Sequence, residues 1–200
     1  MANEKIIKLP QANFKGGISL EETLQKRRSR RRYRSEALSK KELSQILWSA
    51  QGITKEPIFR TAPSAGALYP IDIYVSIINV KDVDSGFYLY IPVEHHLIKI
   101  DSNSYKDIIY YFGYRQECLK NPALITLMVA DYTKITPRYD ERGYRYTFME
   151  AGHISQNIYL QCESLGLGTV AVGAYDEEKL TKLLPVKNDV IYIMPIGKLF

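Results

Sequence analysis

The sequence predicts a single domain in which helices pack on a β-sheet, and three stretches carry that prediction. Ser39-Lys40-Lys41-Glu42 opens a helix with a capping box, and Leu43, Ile46, Leu47 and Ala50 continue it at helical spacing until Gly52 stops it. Ile71, Ile73, Val75 and Ile77 alternate with other residues, the pattern of a strand with one deeply buried face. Ala123 to Ala130 is an unbroken apolar run of strand length, as at the centre of a sheet. With 200 residues, and no repeat, low-complexity tract or linker, residues 1–200 are assigned to one domain with enough chain for a core.

The other elements follow in order. Residues 1–24 read as an N-terminal arm with a short helical turn near Leu20 to Leu24. Trp48 packs on the capped helix, and Thr54 to Pro70 is a loop. Phe87 to Val93 and Leu97 to Ile100 flank Glu94-His95-His96 and form a hairpin; adjacent histidines point apart and lack a third ligand, so no metal site is expected. Ser104 to Leu119 reads as helix, and Thr133 to Arg145 as a polar, aromatic loop. Phe148 to Leu165 is a second strong helix, with Ile154, Ile158, Cys162 and Leu165 on one stripe and Gly166 and Gly168 ending it. Thr169 to Tyr175 and Val190 to Ile196 are the last strands, joined by a helix over Asp176 to Leu184.

Composition narrows the function classes. Hydrophobic content of 46% and charged content of 24% suit a soluble globule, and no apolar run is long enough to span a bilayer. Met1 to Gly17 lacks a secretory signal pattern, and Cys118 and Cys162 form no CxxC, so a reducing, cytoplasmic compartment is expected. The net charge is +5, but six arginines fall between Arg27 and Arg34. Setting those six aside from the 27 basic residues leaves 21 against 22 acidic ones. The basicity is therefore local.

Two segments stand out chemically. Arg60-Thr61-Ala62-Pro63-Ser64-Ala65-Gly66-Ala67-Leu68-Tyr69-Pro70 sets small residues between prolines, giving backbone that a flat ligand can approach; an ordinary connection before a strand has the same composition. Arg27-Arg28-Ser29-Arg30-Arg31-Arg32-Tyr33-Arg34 offers several guanidinium forks and a hydroxyl, which suits a phosphate, a solvated arm or a nucleic-acid contact. There is no GxSxG, GxGxxG or GxxxxGK[ST], and His153 has the setting of an interface or core histidine. Glu21-Glu22 and Glu177-Glu178 look like helix-start charges. An enzyme without its own nucleophile often takes its chemistry from a cofactor.

Arg27-x-Ser29-x-Arg31-x-Tyr33, the Pro63-Ser64-x-Gly66-x-x-x-Pro70 loop and a late Gly-Leu-Gly-Thr-Val-Ala-Val-Gly-Ala-Tyr segment occur in this order. Together they resemble the FMN-dependent nitroreductase superfamily, with wording similar to its SagB-type thiazole/oxazole dehydrogenase branch, from about Arg27 to Lys198. The resemblance implies an α+β fold, a central mixed or antiparallel sheet flanked by helices, and a homodimer with FMN at the interface. It implies that Arg27, Arg28, Ser29, Arg31 and Lys198 hold the phosphate and ribityl end. Pro63, Ser64, Ala65, Gly66 and Ala67 would be laid by the other subunit beside the ring. The Gly173 and Ala174 backbone would lie near flavin N5, with Gln156 and Asn157 behind.

Two departures qualify the chemistry that the resemblance implies. Arg138-Tyr139 stands where azoline-oxidising members carry Lys-Tyr, and arginine stays protonated, so it is a poor general base. Arg138 then clamps an anionic substrate and Tyr139 donates a proton. Ala65 and Ala67 lack the polar side chains that typical nitroreductases present to the flavin edge. The expected function is an FMN oxidoreductase passing hydride through N5 in a ping-pong cycle, SagB-like, on a small molecule or peptide heterocycle. The alternatives are an NAD(P)H-dependent nitro or quinone reductase and, from another class, a basic nucleic-acid-binding protein. The reading adopted has no nucleic-acid and no membrane partner.

Overall fold

The computed structural model describes residues 5–55 and 59–200; the start of the arm and the middle of the 54–70 loop lie outside them. Its centre is a seven-stranded sheet in the order β1-β6-β5-β4-β7-β9-β8. These strands are β1 (Ile6–Lys8), β4 (Ile71–Ile77), β5 (Gly86–Ile91), β6 (His96–Asp101), β7 (Leu124–Ala130), β8 (Leu167–Thr169) and β9 (Asp189–Lys198). Each neighbouring pair is antiparallel. Two short strands, β2 (Ile53–Lys55) and β3 (Phe59–Arg60), pair separately, so part of the expected 54–70 loop is a hairpin. Ile6–Lys8, within the segment read as an arm, pairs with His96–Ile98.

Helices cover both faces of the sheet. Ile71, Ile73, Val75 and Ile77 of β4 pack in one apolar cluster with α2 (Lys40–Gln51) and α5 (Arg142–Ser164). Tyr74, on the opposite face, joins a second cluster with Ile109 of α3 (Lys106–Phe112) and Leu180 of α6 (Glu177–Leu183). β7 contributes Leu124 and Met128 to the first cluster and Ile125, Leu127 and Val129 to the second. It lies between β4 and β9 and every residue is buried, which is why its sequence is continuously apolar.

The capping box forms as expected: Ser39 and Glu42 satisfy each other's backbone N–H groups, and Gly52 caps α2. A helix also forms at α1 (Leu20–Lys26), with Glu21 and Glu22 in its first turn. His95 is a strut, within hydrogen-bond distance of Ser44, Pro10 O and the Tyr90 hydroxyl.

Three elements differ from expectation. Thr133 to Arg145 is largely helical: α4 spans Thr136–Tyr139 and α5 begins at Arg142. Pro137 is tolerated in the first turn, and aromatic pairs Tyr132–Tyr144 and Tyr139–Tyr146, with ring centroids 4.6 and 5.2 Å apart, hold the segment. The expected 104–119 helix spans only Lys106–Phe112 and is capped by Gly113, where the Leu119 side chain occupies the space a β-carbon would need. The strand expected over 169–175 ends at Thr169, leaving one bridge at Val172. Its next partner on β9 in register is Pro195, which has no N–H to donate. Gly166 (φ 67°) ends α5, whereas Gly168 lies within β8.

Candidate functional site

The 60–70 segment is held tightly at both ends. The Arg60 guanidinium stacks over the Tyr69 ring at 4.1 Å, and the Arg60 N–H donates to the Tyr69 hydroxyl at 3.3 Å. The Tyr69 N–H donates to Ser64 Oγ at 2.9 Å, closing the bend. Thr61 is tied on both sides: its N–H donates to Gly52 O, and its carbonyl accepts from Asn157 Nδ2 of α5 at 3.1 Å. Within this frame Gly66, Ala67 and Tyr69 have φ of 62°, 53° and 48°. Two non-glycine residues in the left-handed region so close together are strained, and such strain persists only where the surroundings enforce it.

Glu150, to which the sequence assigns no site role, lies beneath this segment. It is 2% exposed and shares the buried stripe of α5 with Ile154 and Ile158. Oε1 accepts from Gln51 Nε2 at 3.2 Å, and Gln51 Oε1 accepts from Arg60 Nη1 at 3.1 Å. Oε2 has no hydrogen-bond partner. Burial pushes the carboxyl above its ordinary range, opposed by the neighbouring Ser64 hydroxyl, Gln51, Arg60 and Lys134. A carboxylate in phase with an apolar helical stripe was the signal that could have found it.

Arg138 and Tyr139, on α4, meet the loop at Gly66. A β-carbon on Gly66 would stand 2.9 Å from Arg138 Nη1 and 2.8 Å from the Tyr139 hydroxyl. Two of the sequence-nominated groups, far apart in the chain, are therefore neighbours.

The arginine segment runs along the other end of the sheet. The Arg30 N–H donates to Thr169 O and the Arg34 N–H to Lys198 O, both at 2.9 Å. Tyr33 seats its ring over Gly168 and Gly197, where a β-carbon would clash, and donates to Arg30 O at 2.8 Å. Arg27 lies over the Tyr159 ring at 5.2 Å, and Ser29 Oγ is 3.1 Å from the Tyr159 hydroxyl, which accepts the Ala171 N–H at 2.8 Å. Two residues on, the N–H groups of Gly173 and Ala174 enter no backbone hydrogen bond among the described residues. Arg31 is exposed. Arg28 turns back to donate to Gln25 O and Arg27 O. Lys198 does not join this group: its ammonium donates to Glu42 Oε1 at 2.6 Å.

The two groups are separated along α5. Ser29 touches it at Tyr159, and the small-residue part of the loop meets it at Glu150, nine residues and about 13 Å earlier at 1.5 Å rise per residue, although the loop's start at Thr61 reaches Asn157. The donor chemistry fits a phosphorylated planar cofactor: guanidinium forks for phosphate, unengaged N–H groups for ring acceptors, and a small-residue surface for a flat face. Among the described residues, no group of three His, Cys, Asp or Glu side chains could hold a metal, and no helix is long and apolar enough to cross a membrane.

The model of the nitroreductase family matches residues 24–198. The chain belongs to the nitroreductase family. This membership is consistent with an FMN-dependent oxidoreductase. A nitroreductase-family relative from Methanocaldococcus jannaschii, named "Putative nitroreductase MJ1384", is 41% identical over 181 residues, covering 90% of this chain and 91% of that one. The crystal structure of a Ralstonia eutropha JMP134 protein with the same designation superposes with a TM-score of 0.87 at 28% identity, over 98% of this chain and 90% of that one. The Escherichia coli microcin B17-processing protein McbC is 27% identical over 130 residues, covering 62% of this chain and 48% of McbC.

Proposed function

We propose that this nitroreductase-family protein is a homodimeric FMN-dependent reductase that takes hydride from a reduced nicotinamide dinucleotide and delivers it to a nitro- or quinone-type acceptor. The observation that carries this reading is the chain of contacts from Ser29 through Tyr159 to Ala171, which sets two unengaged backbone N–H groups a short way from the arginines. Arg27, Ser29 and Arg31 would hold the phosphate, and Gly173 and Ala174 would face the ring. Bound FMN would supply two-electron hydride chemistry.

The residues of this chain have complementary tasks in that reading. The strained Gly66–Ala67 surface, lacking side-chain bulk, excludes water from a flat face. Arg138 offers a cation beside the loop for an electron-rich acceptor, and Tyr139 offers a proton. The separation of loop and arginines along α5 supports a dimer in which one protomer's loop meets its partner's phosphate site. So does the exposed apolar side of α5, where Tyr144, Phe148 and Met149 are 47%, 55% and 53% exposed.

The SagB-like reading, in which a peptide heterocycle is oxidised, is favoured by the likeness to McbC, while Arg138 in the lysine position counts against it. Anaerobic mixing separates the two. Bleaching of purified yellow protein by NADH or NADPH, and its reversal by a quinone or nitroaromatic, supports the reductase. Bleaching by an azoline peptide alone supports the dehydrogenase. A colourless protein that takes up no added FMN removes both.

A further inference from the structure

The run Ala171 to Ala174, whose last two N–H groups are unengaged, is fixed at three points. Val172 exchanges both backbone hydrogen bonds with Ile193 of β9, at 2.8 and 3.1 Å. Ala174 O accepts from Gln116 Nε2 at 2.8 Å. The third point is the Ala171 N–H, which donates to the Tyr159 hydroxyl at 2.8 Å. Of the three, this one leads on to a side chain of the arginine segment, Ser29 Oγ, 3.1 Å from the same hydroxyl. Chemistry sets the direction of that chain. An N–H can only donate, so the Tyr159 oxygen accepts from Ala171 and its own proton goes to Ser29 Oγ. The Ser29 proton is then left for an acceptor outside the chain of contacts. Beside it stand Arg27, stacked over the Tyr159 ring at 5.2 Å, and the exposed Arg31. Arg30 turns instead toward Glu163, 4.0 Å away, and Arg28 toward backbone carbonyls.

We propose that a phosphate-type anion at Ser29 is an effector of the 171–174 backbone, and that Tyr159 carries the coupling. An anion that accepts the Ser29 proton makes Ser29 Oγ a stronger acceptor for Tyr159. The Tyr159 oxygen in turn becomes a stronger acceptor for Ala171, because hydrogen bonds in a row that point one way polarise one another. An oxyanion flanked by guanidinium groups suits the outer end of this chain, and a cation does not. Filling the anion end therefore tightens the hold on Ala171 before any ring is present. By linkage, a ring held at Gly173 and Ala174 strengthens the anion site by the same factor. This coupling rests on the proposed flavin reading in one respect: a flavin is the ring that reports it. The anion could be the phosphate of the cofactor or free phosphate, and riboflavin, which has no phosphate, separates the two sources.

The probes are inorganic phosphate and riboflavin, added separately and together to the FMN-free chain, with sodium chloride at equal ionic strength as the control for screening. Phosphate should shift the Ala171 amide resonance, and chloride should not. Riboflavin should bind about fivefold more tightly once phosphate fills the anion site, the low end of the usual range for coupled sites. Tyr159→Phe keeps the ring beneath Arg27 and removes only the hydroxyl. In that variant phosphate should still bind, while the Ala171 shift and the fivefold gain both vanish. Ser29→Thr, which keeps a hydroxyl, should retain both effects, and Ser29→Ala should lose them. Riboflavin affinity indifferent to phosphate, an unmoved Ala171 signal, an equal effect of chloride, or coupling that survives in Tyr159→Phe overturns the inference; FMN binding would then leave the flavin reading standing. If neither FMN nor riboflavin binds, yet phosphate moves Ala171 in the parent and not in Tyr159→Phe, the flavin reading falls and the coupling stands.

Discussion

Gly66 and Tyr139 approach so closely that a single β-carbon on Gly66 would stand 2.8 Å from the tyrosine hydroxyl. The glycine also has φ of 62°, where any other residue is strained. The atoms in the way are the tips of flexible side chains, so a methyl group there would displace Tyr139 and Arg138 more than it would disrupt the backbone.

Gly66→Ala should therefore cost about 1–2 kcal/mol in unfolding free energy, the strain of a left-handed alanine. Turnover should fall more than that stability loss accounts for, because two nominated groups are displaced together. Denaturant titration and steady-state rates on the same preparation compare the two effects. Unchanged turnover would separate Tyr139 and Arg138 from the chemistry.

Tyr139→Phe isolates the hydroxyl. The ring keeps its perpendicular contact with Tyr146, so the fold and FMN affinity should match the parent, while turnover falls. The check is the kcat for a quinone acceptor at saturating donor, alongside an FMN titration.

Arg31→Ala should weaken FMN by about 1.5–3 kcal/mol, the range for hydrogen bonds to charged groups, with little effect on melting of the FMN-free protein. Lys198→Ala should do the reverse, because that ammonium is bonded to Glu42. Burial alone would raise the Glu42 carboxyl, but hydrogen bonds from Lys198 and Ser39 hold it below its ordinary range. A depressed carboxyl stabilises the fold above its unfolded-state pKa and loses that contribution as pH falls through the folded value. The stability gap between parent and Lys198→Ala, about 1–3 kcal/mol at pH 7, should thus shrink on acidification below the ordinary glutamate range near 4.5.

Phe148→Asp tests the assembly. Phe148 is 55% exposed in one chain, so the protomer should stay folded. Sedimentation should shift from dimer to monomer, and FMN affinity should drop with it. A variant that stays dimeric with full FMN content would move the interface elsewhere.

Much of the architecture was readable from local pattern. The α2 capping box, the alternation of β4 and the continuous apolar run of β7 are each dictated by residues close in sequence. The misread stretches depended on distant partners. Thr133 to Arg145 looked like a loop because its aromatic pairs become visible only once the helix is wound. The strand after Thr169 stopped because of Pro195 on another strand. At the site, the order of motifs identified the loop and arginine segment. Glu150 was missed because its importance lies in an unmatched oxygen, a property of three-dimensional surroundings, and the Lys198–Glu42 bond likewise joins residues 156 positions apart.

The ring of Tyr33 sits in a notch made by two residues without side chains, Gly168 and Gly197. This seat acts as a ratchet tooth for the polypeptide before it. Arg31 apart, composition between Ser29 and Tyr33 can drift, but its length cannot: in extended chain, one inserted residue would turn each side chain to the opposite side and carry Ser29 away from Tyr159. Relatives that conserve the two bare positions should therefore tolerate changed residues in this stretch far better than insertions or deletions.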